Sequence, residues 1–185
     1  IGHRTDGHHY IRQAVEKEAG GVILERKEFA PETVPWIRVE DSRLTVSRLA
    51  AFLYDYPSSR LHVIGVTGTN GKTTTVFLIE KLLCTAGKKV GLIGTIENRI
   101  AGKPLETKFT TPDALELHQL FSRMLDEGVT DVVMEVSSHA LALHRVADCE
   151  FGAAVFTNLT QDHLDFHESA EDYFHSKARL FKHLG

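Results

Sequence analysis

The chain has 185 residues, 42% of them hydrophobic, which is enough to bury the core of one large or two small domains. Its 21 basic and 25 acidic residues give a net charge of -4 without forming a basic stripe, so we expect no nucleic acid as a partner. There is neither an apolar run of about 18 residues nor a signal-peptide pattern, so the sequence predicts a cytoplasmic protein with no membrane partner. Only two cysteines are present, Cys84 and Cys149, and we expect both to be buried small residues.

The first third of the chain alternates helix and strand patterns. Apolar spacing predicts a helix over residues 7–19 that is closed by two glycines, and a second helix over residues 44–54. Between them, short apolar runs predict strands at residues 22–24 and 36–39.

A turn-rich segment then indicates a domain boundary. Residues 56–59 read Tyr-Pro-Ser-Ser, so we divide the chain into residues 1–57 and 58–185. Because the first residue is Ile1 and the chain stops at Gly185 directly after a helical pattern, we expect a piece of a longer protein.

The second part of the chain has the pattern of a doubly wound α/β domain. An apolar run at residues 61–66 predicts a strand that leads through a glycine-rich turn into a helix over residues 72–86. Thr111 is predicted to cap a helix that has Pro112 in its first turn and ends at Gly128, and Ser169 to cap a last helix to about residue 184. Further strands are predicted at residues 90–93, 132–136 and 153–156. Because the last two are too uniformly apolar for a sheet with one solvated face, we expect a mostly parallel sheet with flanking helices and a site at its strand ends.

The turn after the first of these strands has the composition of a phosphate-binding loop. It reads Gly68-Thr69-Asn70-Gly71-Lys72-Thr73-Thr74 and stands between a predicted strand and a predicted helix. A polyphosphate needs converging backbone N–H groups, a helix N-terminus and a cation, and the loop can supply all three. Lys72 would reach the outer phosphates of ATP, and the Thr73 hydroxyl would bind Mg²⁺. The standard spacing requires glycine at Val66, so the match is to a variant loop, and the alternative is a glycine-rich turn with an exposed lysine.

Acidic residues and histidines follow the later strands. Glu135 falls at the end of an apolar strand, where a carboxylate could hold Mg²⁺ or merely emerge from the sheet. The segment 158–167 clusters carboxylates with His163 and His167, which stand four residues apart. On a helix these two could bind zinc, but the usual intervening glutamate is missing, and Mg²⁺ suits a phosphate loop better. By position alone, Lys177 is an ordinary solvated lysine.

Four ordered segments together resemble the Mur ligases, in particular their UDP-N-acetylmuramoyl-tripeptide synthetase branch. The loop within residues 65–75 is shared by Mur ligases and by folylpolyglutamate and cyanophycin synthetases. The segments TTPDA at residues 110–114 and MEVSSHAL at residues 134–141 are typical of this branch. FTNLTQDHLD at residues 156–165 completes the set, and the resemblance covers essentially the whole chain.

The resemblance implies an ATP-dependent amide ligase of peptidoglycan-precursor synthesis. Such an enzyme phosphorylates the D-glutamate carboxylate of UDP-N-acetylmuramoyl-L-alanyl-D-glutamate. The amine of a third amino acid, meso-diaminopimelate or L-lysine, then attacks the acyl phosphate, which releases phosphate in addition to the ADP already formed. The implied partners are the UDP-N-acetylmuramoyl dipeptide, ATP and that amino acid, with Mg²⁺ as the cofactor.

The resemblance also implies how much of such an enzyme is present. Residues 1–57 would be part of an amino-terminal domain that binds the UDP substrate, and residues 58–185 part of the central ATP-binding domain. The carboxy-terminal domain that selects the amino acid would be missing. We therefore expect this chain alone to be inactive as a ligase.

Individual roles follow from the same resemblance. Residues 68–74 would bind ATP, and Lys72, His163 and Lys177 would serve catalysis. The expected metal-binding residues are Thr73, Glu135, His163 and Lys177, with Lys177 carbamylated to N6-carboxylysine. The residues expected at the UDP-sugar-peptide are His3, Arg4, Thr5, Thr110, Thr111, Ser137 and Arg145.

Two other functions stay open. Another ligase of the superfamily, such as folylpolyglutamate or cyanophycin synthetase, is disfavoured by the segments at residues 110–114 and 134–141. A nucleotide-binding module without ligase chemistry would bind ATP but show no acceptor-dependent turnover.

Overall fold

The computed structural model describes residues 5–160, 166–182 and 184. The chain divides into two compact units, Ile1–Thr45 and Val46–Gly185, and the division falls inside a helix. The domain boundary predicted at residue 57 lies beyond the end of that helix and stays a prediction.

The first unit contains a small parallel strand pair. A 3₁₀ turn at Gly7–Tyr10 continues into α1 (Ile11–Glu16), and β1 (Val22–Leu24) pairs with β2 (Trp36–Arg38). These strands confirm the two predicted apolar runs. The first helix is shorter than predicted, because the chain turns at Glu18, whose φ is 64°, before it reaches the glycines.

A six-stranded sheet organises the second unit, which α2 (Ser42–Leu53) enters from the first. In chain order its elements are β3 (His62–Thr67), α3 (Lys72–Thr85), β4 (Val90–Ile93), β5 (Asn98–Ile100), β6 (Lys103–Leu105), α4 (Ala114–Asp126), β7 (Asp131–Glu135), α5 (Ser138–Ala142), β8 (Ala153–Phe156) and α6 (Ala170–Ala178). The strand order is β6-β5-β4-β7-β3-β8, with β4, β7, β3 and β8 parallel and β5 and β6 antiparallel. The predicted α/β class with a mostly parallel sheet and flanking helices is confirmed.

Alternate residues of the central strands enter two different apolar clusters. In β7, Val132 and Met134 belong to the cluster that contains α4, whereas Val133 belongs to the cluster that contains α3. This alternation places apolar side chains on both faces of the sheet, as expected for strands covered by helices on both sides. Gly91 allows one close approach, since a Cβ atom there would lie 2.6 Å from Met124 Sδ.

Three details differ from the sequence-based expectations. The hairpin β5-β6 was missed, although Ala101 and Gly102 form its turn with φ angles of 49° and 82°, as a two-residue hairpin turn requires. Helix α4 is capped by Asp113, whose carboxylate accepts from Glu116 N at 3.0 Å, and the predicted Thr111 cap is wrong. Cys149 is buried as expected, but Cys84 is exposed.

The last helix is also shorter than predicted. Ser169 caps α6 as expected, through a hydrogen bond from Asp172 N, but the α-helix ends at Ala178 and a 3₁₀ segment, Arg179–Lys182, follows. Among the described residues, no helix combines the length and the apolar composition that crossing a membrane requires.

Candidate active site

The carboxyl ends of four parallel strands meet at one edge of the sheet. The loops that leave β3, β4, β7 and β8 start at Gly68, Gly94, Val136 and Thr157. Ligands of open α/β sheets bind outside these strand ends, and helix α3 begins here with its N-terminus toward the same edge. The residues of this edge therefore form the candidate site.

The glycine-rich loop has the conformation that its glycines allow. Gly68 has a φ of 143°, and Gly71, the residue before α3, has a φ of 83°. The Lys72 ammonium folds back over the loop and donates to the carbonyl oxygens of Gly68 and Thr69, both at 2.8 Å. Lys72 is thus held above the loop rather than extended into solvent, contrary to the alternative of an exposed lysine in a simple turn.

The segment after β8 braces this loop. Thr69 N donates to Asn158 O at 2.9 Å, and Asn70 N donates to Asn158 Oδ1 at 3.0 Å. The hydroxyl of Thr157 donates to Asn70 O at 2.7 Å. Thr160 closes the network, since its N–H donates to Thr69 Oγ1 at 3.0 Å. The two segments therefore form one rigid hydrogen-bonded body.

Glu135 lies beside the loop, at the end of β7. Its side chain belongs to a residue that is only 1% exposed, so its charge needs hydrogen-bond donors. Thr73 Oγ1 lies 3.0 and 3.1 Å from the two carboxylate oxygens, and Thr95 donates through both its N–H and its hydroxyl, at 2.9 and 3.1 Å. A hydroxyl and a carboxylate held together in this way form a hard oxygen donor set that suits Mg²⁺.

The four residues of the second unit expected at the acceptor substrate lie next to one another. Thr111 Oγ1 donates to Glu135 O at 2.9 Å and accepts from Ser137 N at 3.1 Å. Arg145 Nη1 donates to Thr111 O at 2.9 Å, and Thr110 Oγ1 lies 3.1 Å from Thr95 Oγ1. These four residues therefore belong to the same hydrogen-bonded network as Glu135.

Lys177 reaches the same site from α6. It is 1% exposed, and its Nζ donates to Gly68 O at 2.9 Å and lies 4.2 Å from the centre of the Tyr173 ring. The Gly68 carbonyl thus accepts from the ammonium groups of both Lys72 and Lys177. The expectation from position alone, a solvated lysine, is wrong, because α6 buries this side chain against the loop.

Comparison with known proteins identifies the family. The model of the Mur ligase middle domain matches residues 66–185, which include the loop, Glu135 and Lys177. The chain belongs to the Mur ligase family. The loop with Val66 in place of glycine is therefore the loop of a Mur ligase middle domain.

Several relatives of this Mur ligase chain share one name. It is 49% identical over 180 residues to the UDP-N-acetylmuramoyl-L-alanyl-D-glutamate–2,6-diaminopimelate ligase of Alkaliphilus metalliredigens, covering 97% of this chain and 36% of that protein. A solved structure of a ligase with this name matches with a TM-score of 0.79 and 31% identity, over 96% of this chain and 36% of the other. The MurF ligase of Thermotoga maritima in complex with ADP matches with a TM-score of 0.58 and 25% identity, over 100% of this chain and 39% of the other. The chain thus spans little more than a third of the length of the proteins that it matches.

Some expected site residues of the Mur ligase chain lie outside the described residues, namely His3, Arg4 and His163. Thr5 is exposed and lies in the first unit, where it lines a cavity of about 400 Å³ together with His8, Leu24 and Arg43. The roles of all four stay predictions.

One residue that lines this cavity, His8, is held by hydrogen bonds on both ring nitrogens. His8 Nε2 accepts from the backbone N–H groups of Glu25 and Arg26 at 3.1 and 3.2 Å, so its proton resides on Nδ1, which faces Asp6 Oδ1. The hydrogen bond from the His8 side chain lowers the pKa of Asp6 to about 2. Asp6 is therefore a carboxylate at neutral pH.

Sequence reasoning missed three residues that build the Mur ligase site. Thr95 lies just after β4, in the way that Glu135 lies at the end of β7. Because ligands bind at the carboxyl ends of parallel strands, its position in the sequence could have identified it. Asn158 lies in the motif at residues 156–165, but the sequence predicts no role of its own for it. Tyr173, which is 2% exposed and has its hydroxyl 3.2 Å from Thr69 Oγ1, gives no signal in the sequence beyond an aromatic residue in a helix.

Proposed function

We propose that this chain is the nucleotide-binding part of an ATP-dependent ligase of peptidoglycan-precursor synthesis. The ligase adds 2,6-diaminopimelate to UDP-N-acetylmuramoyl-L-alanyl-D-glutamate through an acyl phosphate, with ADP and phosphate as the other products. The names of the relatives support this substrate pair. The observation that carries the proposal is the convergence of Lys72, Lys177, Thr73 and Glu135 on one loop, next to the acceptor residues.

Phosphoryl transfer depends on positioning and on neutralising charge, and the loop is built for both. The first N–H groups of α3 point toward the strand ends and have no acceptor within the helix, so they can bind the phosphates of ATP. Lys72 supplies a cation on a flexible side chain, and exchanging its two carbonyl acceptors for phosphate oxygens requires only side-chain rotation. The loop itself stays in place because Asn158 and Thr157 brace it.

Mg²⁺ fits the oxygen donors of this edge. Thr73 Oγ1 and the carboxylate of Glu135 would hold it, and both are hard ligands of the type it prefers. When bound, Mg²⁺ neutralises charge on the phosphates of the nucleotide. Thr95 supports the same carboxylate, since its N–H donates to Oε1 and its hydroxyl lies 3.1 Å from Oε2.

The acceptor would lie over the continuous group of Thr110, Thr111, Ser137 and Arg145. Arg145 stacks on Phe109, with its guanidinium carbon 5.2 Å from the ring centre, while Nη1 bonds Thr111 O. A guanidinium fixed in this way can bind a carboxylate or a phosphate of the acceptor. Arg145 follows Glu135 closely in the sequence. The strand β7 and the segment after it would therefore orient the acceptor carboxylate and the nucleotide together.

Carbamylation of Lys177 belongs to this proposal. The modification forms a carbamate from CO₂ and a neutral amine with loss of one proton, and it reverses the charge of the side chain. The Lys177 side chain is buried, with Gly68 O 2.9 Å and the centre of the Tyr173 ring 4.2 Å from its Nζ, and both contacts suit an ammonium rather than a carbamate. The proposal therefore requires the carbamate to gain a partner, which Mg²⁺ would provide.

A chimeric enzyme tests the function without depending on the ends of this sequence. The 180 matched residues of the Alkaliphilus metalliredigens ligase are replaced by those of this chain. ADP release is then measured with the carboxylate substrate alone, with the amino acid alone and with both together. We expect release only when ATP, Mg²⁺, the UDP-N-acetylmuramoyl dipeptide and diaminopimelate are all present. The parent ligase and a Lys72→Met chimera are the positive and negative controls.

The other functions predict different results in the same assay. Turnover with a folate and glutamate but not with the UDP-dipeptide would indicate a folylpolyglutamate ligase and overturn the proposal. Tight ATP binding without turnover under any pair of acceptors, in a chimera that folds, would indicate a nucleotide-binding module.

A further inference from the structure

The loop after β4 is built around the carboxylate of Glu135. A Cβ atom on Gly94 would lie 2.8 Å from Glu135 Oε1, so only glycine lets the carboxylate come this close to the loop. The next residue, Thr95, directs its N–H to Oε1 at 2.9 Å and its hydroxyl to Oε2 at 3.1 Å. Both carboxylate oxygens thus have a donor from Thr95.

The same hydroxyl also contacts the acceptor side of the site. Thr95 Oγ1 lies 3.1 Å from Thr110 Oγ1, which belongs to the segment expected to bind the UDP-sugar-peptide. A hydroxyl carries one proton and can accept others. If Thr95 donates its proton to Glu135, the Thr110 hydroxyl must be the donor to Thr95, which gives a directed chain from Thr110 through Thr95 to Glu135.

The hydroxyl protons of Thr95 and Thr110 can also point in the opposite direction. If Thr95 donates to Thr110, then Glu135 Oε2 loses that donor and keeps Thr73, while Oε1 keeps the Thr95 N–H. A ligand that donates to Thr110 or accepts from it selects one of the two arrangements. Because the carboxylate is buried, the loss or gain of one hydrogen bond changes its affinity for a cation.

We propose that Thr95 is a positioning residue that couples acceptor binding at Thr110 to Mg²⁺ binding at the carboxylate of Glu135. The proposal rests on the proposed function, because it takes the acceptor to bind at Thr110 and Mg²⁺ at Glu135. An acceptor group that accepts the Thr110 proton makes Thr95 donate to Thr110, so Glu135 loses one donor and binds the Mg²⁺–nucleotide more strongly, and the reverse effect is equal in size. Thr95 does this without touching the phosphates or the acceptor carboxylate.

The test compares two substitutions that separate the hydroxyl from the rest of the residue. Thr95→Val keeps the shape and the backbone N–H bond to Oε1 but removes the hydroxyl, and Thr95→Ser restores the hydroxyl. Thr85→Val is the matched control, since Thr85 is an exposed threonine whose hydroxyl donates only to the backbone, at Lys81 O. All are made in the chimera, and folding is checked by circular dichroism.

The main readout is binding rather than turnover. The dissociation constant of a non-hydrolysable ATP analogue is measured by calorimetry at fixed Mg²⁺, with and without the UDP-dipeptide. We expect the acceptor to strengthen nucleotide binding about fivefold to tenfold in the unmodified chimera, which is the size of one typical hydrogen bond. Thr95→Val reduces this ratio to within about twofold of unity, whereas Thr95→Ser and Thr85→Val retain it.

Several outcomes would overturn the proposal. An unchanged ratio in Thr95→Val would exclude the hydroxyl as the link, and equal loss in the Val and Ser variants would indicate a packing role for the side chain. An unmodified chimera that ligates normally but shows no effect of the acceptor on nucleotide binding would also refute it. A folded chimera with no ligase activity would instead refute the proposed function, so the two failures are distinguishable.

Discussion

The substitution Gly68→Ala tests whether the phosphate loop depends on one backbone geometry. Gly68 has a φ of 143°, which L-residues with a side chain rarely adopt. A Cβ atom there would overlap Thr157 Oγ1 and would lie 3.1 Å from both the N and the O atoms of Asn158. The new methyl group would therefore enter the segment that braces the loop.

A matched glycine separates strain from overlap. Gly87, just after α3, has a φ of 81°, but a Cβ atom there would meet nothing within 4 Å. Gly87→Ala should cost only the backbone strain of about 1–2 kcal/mol. Gly68→Ala adds the cost of overpacking, about 1–3 kcal/mol, so we expect a total loss of about 2–5 kcal/mol in the free energy of unfolding.

The assay follows urea unfolding of the 185-residue chain by circular dichroism at 222 nm, because the single tryptophan, Trp36, lies in the first unit and does not report on the loop. Binding of a fluorescent ADP analogue is measured in parallel. Gly68→Ala should abolish binding, and Gly87→Ala should bind like the unmodified chain. Removing the overlapping hydroxyl by Thr157→Ala should recover part of the stability lost in Gly68→Ala. Equal stability and equal ADP binding of the two glycine variants would refute this account of the loop.

Three further predictions use other features of the second unit. Lys72→Met should weaken ADP binding at least tenfold in a calorimetric titration, whereas Lys81→Met, on the exposed side of the same helix, should leave it unchanged. Asp113→Ala should lower the free energy of unfolding by about 1 kcal/mol in urea, through loss of the α4 cap, and a Ser replacement should restore most of it. Burial lowers the pKa of His118 from 6.5 to about 4, so the folded protein binds fewer protons than the unfolded one in this range. His118 thus stabilises the fold above pH 6.5, and up to roughly 3 kcal/mol of the free energy of unfolding is lost as the pH falls to about 4. His118→Phe should flatten this dependence of the free energy of unfolding on pH. An unchanged slope in the variant would contradict the prediction.

Patterns with local causes could be read from the sequence. The strands at β1, β4 and β8 were predicted at their bounds, because short apolar runs between turn residues have few other interpretations. Glu135 and the loop were found because strand ends in a parallel sheet face the ligand.

Features that depend on packing could not be read in this way. Lys177 is indistinguishable from a surface lysine until α6 places it against Gly68. Thr111 is a good cap candidate by composition, but Asp113 is closer to the first helical turn, and the Thr111 hydroxyl is used by β7 instead. The hairpin β5-β6 has only three residues in each strand, and much of its position comes from Arg99, which pairs with Glu80 of α3 at 2.9 Å.

The position of Val66 explains why the loop departs from the standard spacing. Val66 is fully buried in β3 among Val76 and Val133, and its carbonyl accepts from Val136 N at 2.8 Å. It is a strand residue paired in register with Glu135, so a glycine there would weaken the sheet where the carboxylate must be held. The turn consequently begins at Gly68, and a loop this short obtains its rigidity from outside, through the hydrogen bonds of Thr69 and Asn70 to Asn158. We therefore expect nucleotide binding at this loop to depend on the segment after β8 as well as on the glycines. A substitution at Asn158 should weaken ADP binding even if its side chain never contacts the nucleotide.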